Sequence, residues 1–156
     1  MEKNIRTNSR IIAMMLLFNL DINKELNNNN FDNNNYLNNY LLEAINDNSI
    51  SSNNPSEEKI EYDLDFVKEI VNGVINNLST IDFKLSIAIV KYTLDRISIV
   101  DRNLLRIGAY EILFTDTPAN IVINEIVNIS KEYSEIDDYK TSKFNNAVLD
   151  KLAKNK

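Results

Sequence analysis

Two arginines near the amino terminus, Arg6 and Arg10, are four residues apart, and Phe18 follows eight residues after Arg10. In a helix this spacing places the three side chains near one face. Guanidinium groups hold phosphate oxygens, and an aromatic ring beside them can stack an unpaired nucleobase. The pattern is therefore compatible with a surface for single-stranded RNA. From the residues alone, Phe18 as an ordinary core side chain is an equal alternative.

The charge of the chain is unevenly distributed around a net value of −6. Residues 1–10 carry Lys3, Arg6 and Arg10 against Glu2, a net +2, and residues 140–156 carry a net +4. The residues between these ends therefore carry −12. Cationic ends on an acidic body are compatible with local phosphate binding. The alternative is that solvated chain ends collect lysines without any function.

The composition excludes several classes of site. The chain contains no Cys and no His, which rules out Cys/His zinc sites, thiol nucleophiles, Ser-His-Asp triads and histidine acid–base catalysis. Its carboxylates show no recognisable metal-ligand or acid–base spacing, so we expect no enzyme, no metal and no cofactor. No apolar run approaches the roughly 20 residues that span a bilayer, and no cleavage site follows Ile11–Phe18. We therefore expect a cytoplasmic protein without membrane contact.

The elements that must position these side chains are predicted to be helices throughout. With 44% hydrophobic residues in 156, the chain can bury one core. Asp101–Leu113 has apolar residues on more than one side, which predicts a buried central helix. Gly108 costs this helix about 1 kcal/mol relative to Ala, which indicates that another helix crosses close by. Further apolar repeats predict helices over residues 5–20, 36–45, 63–78 and 80–96. A sixth helix is predicted to begin at Pro118 and to carry apolar residues as far as Ile129, and a seventh to begin at Thr141 or Ser142 and to include Leu152.

Polar residues mark where several of these helices begin. Ser79-Thr80 is predicted to cap the fourth helix, and Ser98 with Asp101 resembles a capping box for the central one. Thr117-Pro118 predicts another start, with Thr as the N-cap and Pro at the first helical position. Nine asparagines in residues 27–39 predict a loop, because Asn favours turns over helices.

Three motifs occur in an order and spacing that point to a known family. Residues 101–112, DRNLLRIGAYEI, resemble the signature D-R-x-[IL]-L-R-[IL]-[AG]-x-Y-E-[LI]. Pro118, Val122 and residues 123–125 are similar to P-x-x-V-x-I-N-E, and residues 143–150, KFNNAVLD, to K-F-[VI]-N-G-[VI]-L-D. Arg10 and Ala13 match the opening R-x-x-A. The chain thus resembles the NusB family, over about residues 5–20 and 62–154.

The resemblance implies a single all-α domain of seven helices in two roughly perpendicular bundles, residues 1–78 and 79–156. It implies binding without catalysis. NusB proteins bind the boxA element of nascent RNA as a heterodimer with NusE, a small-subunit ribosomal protein. With other Nus factors they keep RNA polymerase elongating through ribosomal RNA operons. The implied partners are therefore boxA-type RNA, NusE and the transcription elongation complex, and a homodimer stays open.

In this family the RNA surface comprises the arginine-rich first helix, the aromatic near its end and the start of the last helix. By that resemblance, the candidate RNA-binding residues are Lys3, Arg6, Arg10, Phe18, Lys143, Phe144 and Asn146. Asn146 could instead cap the last helix. Tyr110 and Glu111 are expected to serve packing, and a buried Glu111 needs a partner such as an arginine.

The sequence departs from the family pattern at positions that bear on binding. Thr7 and Asn8 stand where further arginines are common, and each lost phosphate contact lowers affinity and flattens its salt dependence. Asn145 replaces an apolar residue of the last motif. Two alternatives follow. One is a helical protein-interaction module that has lost RNA binding. The other is the NusB-like module of a ribosomal RNA methyltransferase, of which this chain would be a fragment.

Overall fold

The computed structural model describes residues 4–26, 39, 60–134 and 140–156. Within these ranges it has six complete α-helices and no strand, which confirms the all-α fold. The predicted helix over residues 36–45 and the Asn-rich loop lie outside the described ranges, apart from residue 39, which is helical. The six helices are α1 (Ile5–Ile22), α2 (Leu64–Asn76), α3 (Leu78–Ala88), α4 (Ile99–Phe114), α5 (Ala119–Tyr133) and α6 (Lys140–Lys154), with a 3-10 turn at Leu94–Arg96.

Helix α4 is the centre of the fold, as its sequence predicts. It packs against each of the other five helices, and 11 of its 16 residues are buried. Helix α1 packs mainly on α2 and α4, whereas α6 packs on α5, α4 and α3. The predicted boundary at residues 78 and 79 falls at the start of α3. The two subdomains and their perpendicular packing stay predictions.

The two glycines lie where α4 meets its neighbours. Gly108 is on α4 itself, and a Cβ there would lie 2.8 Å from Leu149 Cδ1 and 3.3 Å from Ile126 Cγ1. Helices α5 and α6 therefore cross close to α4, which confirms the inference from Gly108. Gly73 of α2 leaves room for the ring of Tyr110, whose atoms a Cβ at that position would overlap.

The helix starts confirm one predicted cap and correct two. Ser98 caps α4: its Oγ accepts from the Asp101 N–H at 3.2 Å and lies 2.6 Å from Asp101 Oδ2. Helix α3, however, begins at Leu78 after Asn77, not at Ser79-Thr80, and ends at Ala88 instead of near Arg96. The two helices share Asn77, whose side chain donates to the carbonyl of α2 at Gly73 instead of capping α3.

The other correction concerns α5, whose N-cap is Pro118 and not Thr117. The Thr117 N–H donates to Thr115 Oγ1 at 3.3 Å, so this residue belongs to the turn that ends α4. Helix α6 begins at Lys140, one or two residues before the predicted start.

A network of charged side chains joins α1, α3 and α4. Asp21 of α1 accepts two hydrogen bonds from Arg102, at 2.6 and 2.7 Å, and one each from Asn103 and Arg106 at 3.0 Å. Arg106 also donates to both carboxylate oxygens of Asp82 on α3. Burial alone raises the pKa of Asp21, but the hydrogen bonds and positive charges outweigh it and hold that pKa below its usual value.

This network predicts how stability depends on pH. Because the folded-state pKa of Asp21 lies below the unfolded value of about 3.9, ionised Asp21 stabilises the fold at neutral pH. That stabilisation is lost as the pH falls through the folded-state pKa. Asp21→Asn should therefore cost about 1–3 kcal/mol at pH 7, with the difference from wild type shrinking below about pH 4. Urea unfolding at several pH values measures it.

The matched control is Asp150→Asn, which removes the exposed pair between Asp150 and Lys154 at 2.9 Å. Surface pairs of this kind contribute little, so we expect a change below about 0.5 kcal/mol. A pH-independent loss in Asp21→Asn, or equal losses in the two variants, would contradict the assigned role of the network.

Candidate nucleic-acid interface

Three polar side chains fix the first turns of α1. Two of them, Thr7 and Asn8, stand where further arginines are common in the family. Asn4 caps the helix by accepting from the Thr7 N–H at 2.6 Å. The Thr7 hydroxyl lies 2.8 Å from Glu125 Oε2 on α5, and Asn8 Nδ2 donates to the carbonyl of Glu61 at 3.0 Å. The two residues therefore hold α1 against the rest of the molecule.

Arg10 lies inside the protein, with 2% of its surface exposed. Its Nε and Nη2 donate to the two carboxylate oxygens of Glu111, both at 2.8 Å, and its Nη1 lies 3.8 Å from Glu125 Oε2. Burial alone lowers the pKa of Arg10, but hydrogen bonding and the charges of both glutamates raise it overall, so the guanidinium stays ionised. The expected arginine partner of Glu111 is confirmed, and it offers a phosphate almost no surface.

Arg6 is the exposed arginine of this helix. Its Cζ lies 4.2 Å from the centroid of the Phe66 ring, and that of Arg10 lies 5.3 Å from the same ring. The two arginines therefore share a face, as their spacing predicts. Cation–π contact steadies Arg6 over Phe66 of α2 while leaving its donors on the surface. The sequence marks Phe66 only as part of the apolar stripe of α2, so this support was missed.

Phe18 lies on the second half of α1 and is half-buried. It is 12 residues from Arg6, which corresponds to about 18 Å along a helix at 1.5 Å per residue. The two side chains cannot contact the same nucleotide, but they can contact different nucleotides of one strand. Lys3 lies outside the described residues.

At the start of α6, Lys143 and Asn146 are exposed and line one groove of about 270 Å³ between α5 and α6. Its other lining residues are Val127, Lys131 and Ser142. Phe144 is half-buried and meets Tyr92 edge to face, with ring centroids 6.3 Å apart. Asn146 is the seventh residue of α6, so the alternative in which it caps that helix is wrong.

The buried side chain of Asn145 orients this end of α6. Its Nδ2 donates to Asp101 Oδ1 at 3.0 Å and to Ser130 Oγ at 3.3 Å. An amide replaces the family's apolar residue here because α4 and α5 supply polar partners. With Asn145 directed inward, the neighbouring side chain of Asn146 points to the surface.

Within the described residues, no group of three or more carboxylates is arranged to hold a metal ion. Burial, together with the charges of Glu69 and Glu111, raises the pKa of Tyr110, so its hydroxyl stays protonated at neutral pH. In the same ranges, no helix is both long and apolar enough to cross a membrane.

Comparison with known proteins identifies relatives over most of the chain. The NusB family model matches residues 7–154. The chain is similar to the transcription antitermination protein NusB of Clostridium tetani, 38% identical over 155 residues that cover 96% of this chain and 97% of the relative. It is also similar to that of Fervidobacterium nodosum, 40% identical over 88 residues, which cover 56% of this chain and 60% of the relative.

Solved structures share the fold. That of Thermotoga maritima NusB has a TM-score of 0.71 and 30% identity, covering 98% of this chain and 93% of the other. The crystal structure of antitermination factors NusB and NusE in complex with double-stranded RNA has a TM-score of 0.69 over 97% of this chain and 98% of the other. Its 22% identity supports the fold alone. With its central helix, its motifs and a family model that spans residues 7–154, this chain belongs to the NusB family.

Proposed function

We propose that the protein is a transcription antitermination factor that binds boxA-type RNA together with NusE. It acts within the elongation complex, with other Nus factors, in the cytoplasm and without catalysis of its own. The observation that carries this proposal is family membership over residues 7–154. The relative from Clostridium tetani, covered over 97% of its length, is a transcription antitermination protein.

The proposed RNA surface joins the exposed polar residues of α1 and α6. Arg6 and Lys143 contact phosphates, which positions the RNA but carries little sequence information. Phe18 stacks a base with its exposed portion, and Asn146 contacts a base edge. Phe144 supports this end of α6 through Tyr92, and Lys3 adds a cation at the amino terminus. Arg10 contributes indirectly, because its pairing with Glu111 holds α1 on α4.

The proposed NusE surface is an exposed apolar patch at the end of α3. Phe83 and Ile87 are 63% and 51% exposed and lie four residues apart on one helix face. Val90 and Tyr92, 79% and 56% exposed, follow on the adjoining loop. Contiguous apolar surface of this kind marks protein interfaces. The patch borders the proposed RNA surface at Tyr92, whose ring meets Phe144 of α6.

Substitution of Arg6 tests the RNA surface. Arg6→Ala should lower affinity for a boxA RNA in the presence of NusE, and should reduce the slope of log affinity against log salt by about 0.7, the value for one phosphate contact on a single strand. Fluorescence anisotropy over a salt series measures both quantities. Lys151→Ala, an exposed lysine in the last turn of α6, is the charge-matched control and should change neither. Absence of RNA binding by the wild type would overturn the proposal.

Substitution of Arg10 separates positioning from direct contact. Arg10→Met leaves Glu111 charged and unpaired in the interior, which should cost about 3–5 kcal/mol of stability. The double variant Arg10→Met/Glu111→Leu removes both charges and should recover most of that loss. Urea unfolding measures the stabilities. If the double variant folds but binds RNA as weakly as Arg6→Ala, Arg10 is instead a direct phosphate contact.

Substitution of the apolar patch tests the protein partner. Phe83→Ser/Ile87→Ser should weaken NusE binding at least tenfold, because both side chains lie on the proposed interface. RNA-independent titration with NusE, followed by light scattering, measures the change. The control Ile121→Ser alters a side chain of similar exposure, 48%, on α5. Unchanged NusE binding, with loss of a concentration-dependent homodimer, would assign the patch to a second copy of the chain.

A further inference from the structure

Hydrogen bonds hold the start of α2 against the start of α1. The Asp63 N–H donates to Ser9 Oγ at 2.8 Å, and that hydroxyl donates to the Ile5 carbonyl at 2.7 Å. Asn8 Nδ2 donates to the carbonyl of Glu61 at 3.0 Å. Ser9 is fully buried, so water does not compete for its hydroxyl. The first turns of the two helices therefore keep a fixed position relative to each other.

Phe66 lies in the first turn of α2 and contacts both arginines of α1. Its N–H donates to the capping Asp63 Oδ1 at 3.2 Å, which ties the ring to the hydrogen-bonded start of the helix. The Cζ atoms of Arg6 and Arg10 lie 4.2 and 5.3 Å from the ring centroid, within the range of a cation–π interaction. Phe66 is only 6% exposed, so close packing in the core restricts movement of its ring.

The two arginines on this ring differ in how their charge is compensated. Arg10 is buried and pairs with Glu111 at 2.8 Å. Arg6 is exposed, and no carboxylate in the described part of the chain pairs with it. Its charge is therefore free for a phosphate while its guanidinium lies on the ring. A side chain that is already held in the free protein loses less conformational freedom on binding.

We propose that Phe66 is a positioning residue for RNA binding: its ring holds the guanidinium of Arg6 where a phosphate meets it, and it makes this position selective for arginine over lysine. The proposal rests on the proposed function, in which Arg6 contacts a phosphate. A guanidinium can lie with its plane on a ring and donate hydrogen bonds from its edge at the same time. The ammonium group of lysine is a compact, strongly hydrated charge without such a plane. With Thr7 and Asn8 engaged inside the molecule, the ring orders the remaining exposed arginine of α1.

Substitution of Phe66 should change RNA affinity without changing its salt dependence. Phe66→Leu keeps an apolar side chain and leaves the charge of Arg6 in place, so the number of phosphate contacts stays the same. We expect affinity for boxA RNA in the presence of NusE to fall about two- to tenfold, the cost of ordering one side chain, at an unchanged slope of log affinity against log salt. Phe66→Tyr keeps the ring and should bind as wild type does. Ile70→Val, at a fully buried residue one turn further along α2, is the control for lost core volume and should change neither quantity.

A double-mutant cycle separates positioning from general support of the fold. In the Arg6→Ala background the ring has no exposed guanidinium to hold, so Phe66→Leu should have no further effect on RNA affinity. Arg6→Lys should keep the salt slope and lose about as much affinity as Phe66→Leu. Fluorescence anisotropy over a salt series measures these quantities, and thermal unfolding checks that each variant is folded. Arg6→Lys alters a surface side chain alone, so it tests the proposal even where Phe66→Leu fails to fold.

The outcomes distinguish this role from the proposed function. Equal losses from Phe66→Leu in the wild-type and Arg6→Ala backgrounds would mean that the ring only supports the fold, and the positioning role would be wrong. Wild-type affinity in Phe66→Leu or in Arg6→Lys, alongside weakened binding in Arg6→Ala, would also overturn it and leave the proposed function standing. If wild type binds no RNA in the presence of NusE, both proposals fail.

Discussion

Burial of α4 on all sides is the constraint on which the rest of the structure depends. A helix in this position cannot send its charged side chains to water, so each one needs a partner from another helix. Arg106, Glu111 and Asp101 are all less than 10% exposed. Their partners are Asp21 of α1 and Asp82 of α3, Arg10 of α1, and Asn145 of α6, respectively. The polar residues of α4 thereby determine where three other helices lie.

The same contacts let α4, which carries none of the proposed RNA-binding residues, fix the position of the proposed RNA surface. Through Glu111, α4 holds α1 so that Arg6 lies on the surface over Phe66. Through Asp101, it holds α6 so that Asn145 is directed inward and Asn146 outward. The charged residues thus divide into two classes by their surroundings. Those in the interior of α4 are paired with other helices, whereas Arg6 of α1 and Lys143 of α6 lie exposed on the surface.

Local signals in the sequence predicted much of the fold. The Ser98 cap and the close crossing at Gly108 depend on a few neighbouring residues, and the structure confirms both. Arg10 shows where such reasoning stops. Its type and its spacing from Arg6 fit a phosphate contact, yet its guanidinium lies against Glu111, which is 101 residues away in sequence. Only tertiary packing decides which of two neighbouring arginines faces water.

The same limit applies to the groove and to the start of α3. Lys131 and Lys143 are on different helices, and no periodicity in either helix shows that they share a groove. The side chain of Asn77 could cap α3, but it donates instead to the Gly73 carbonyl near the end of α2. Helix α3 begins at Leu78, so Ser79 and Thr80 lie inside it. In both cases the contacts of a second helix, which the local sequence does not show, determine the arrangement.

Thinning of the arginine run has a physical consequence for how such a protein selects RNA. Thr7 and Asn8 form contacts within the molecule where arginines would contact phosphates, and residues 11–139 carry a net −12. Sequence-independent attraction of RNA scales with the phosphates that a protein neutralises, so it is weak on this surface. In the proposed complex, selectivity must then come from the few well-placed groups, such as Arg6, and from a partner that adds contacts of its own. The proposed role of NusE fits this electrostatic balance, since a short row of cations on an acidic body holds RNA weakly by itself.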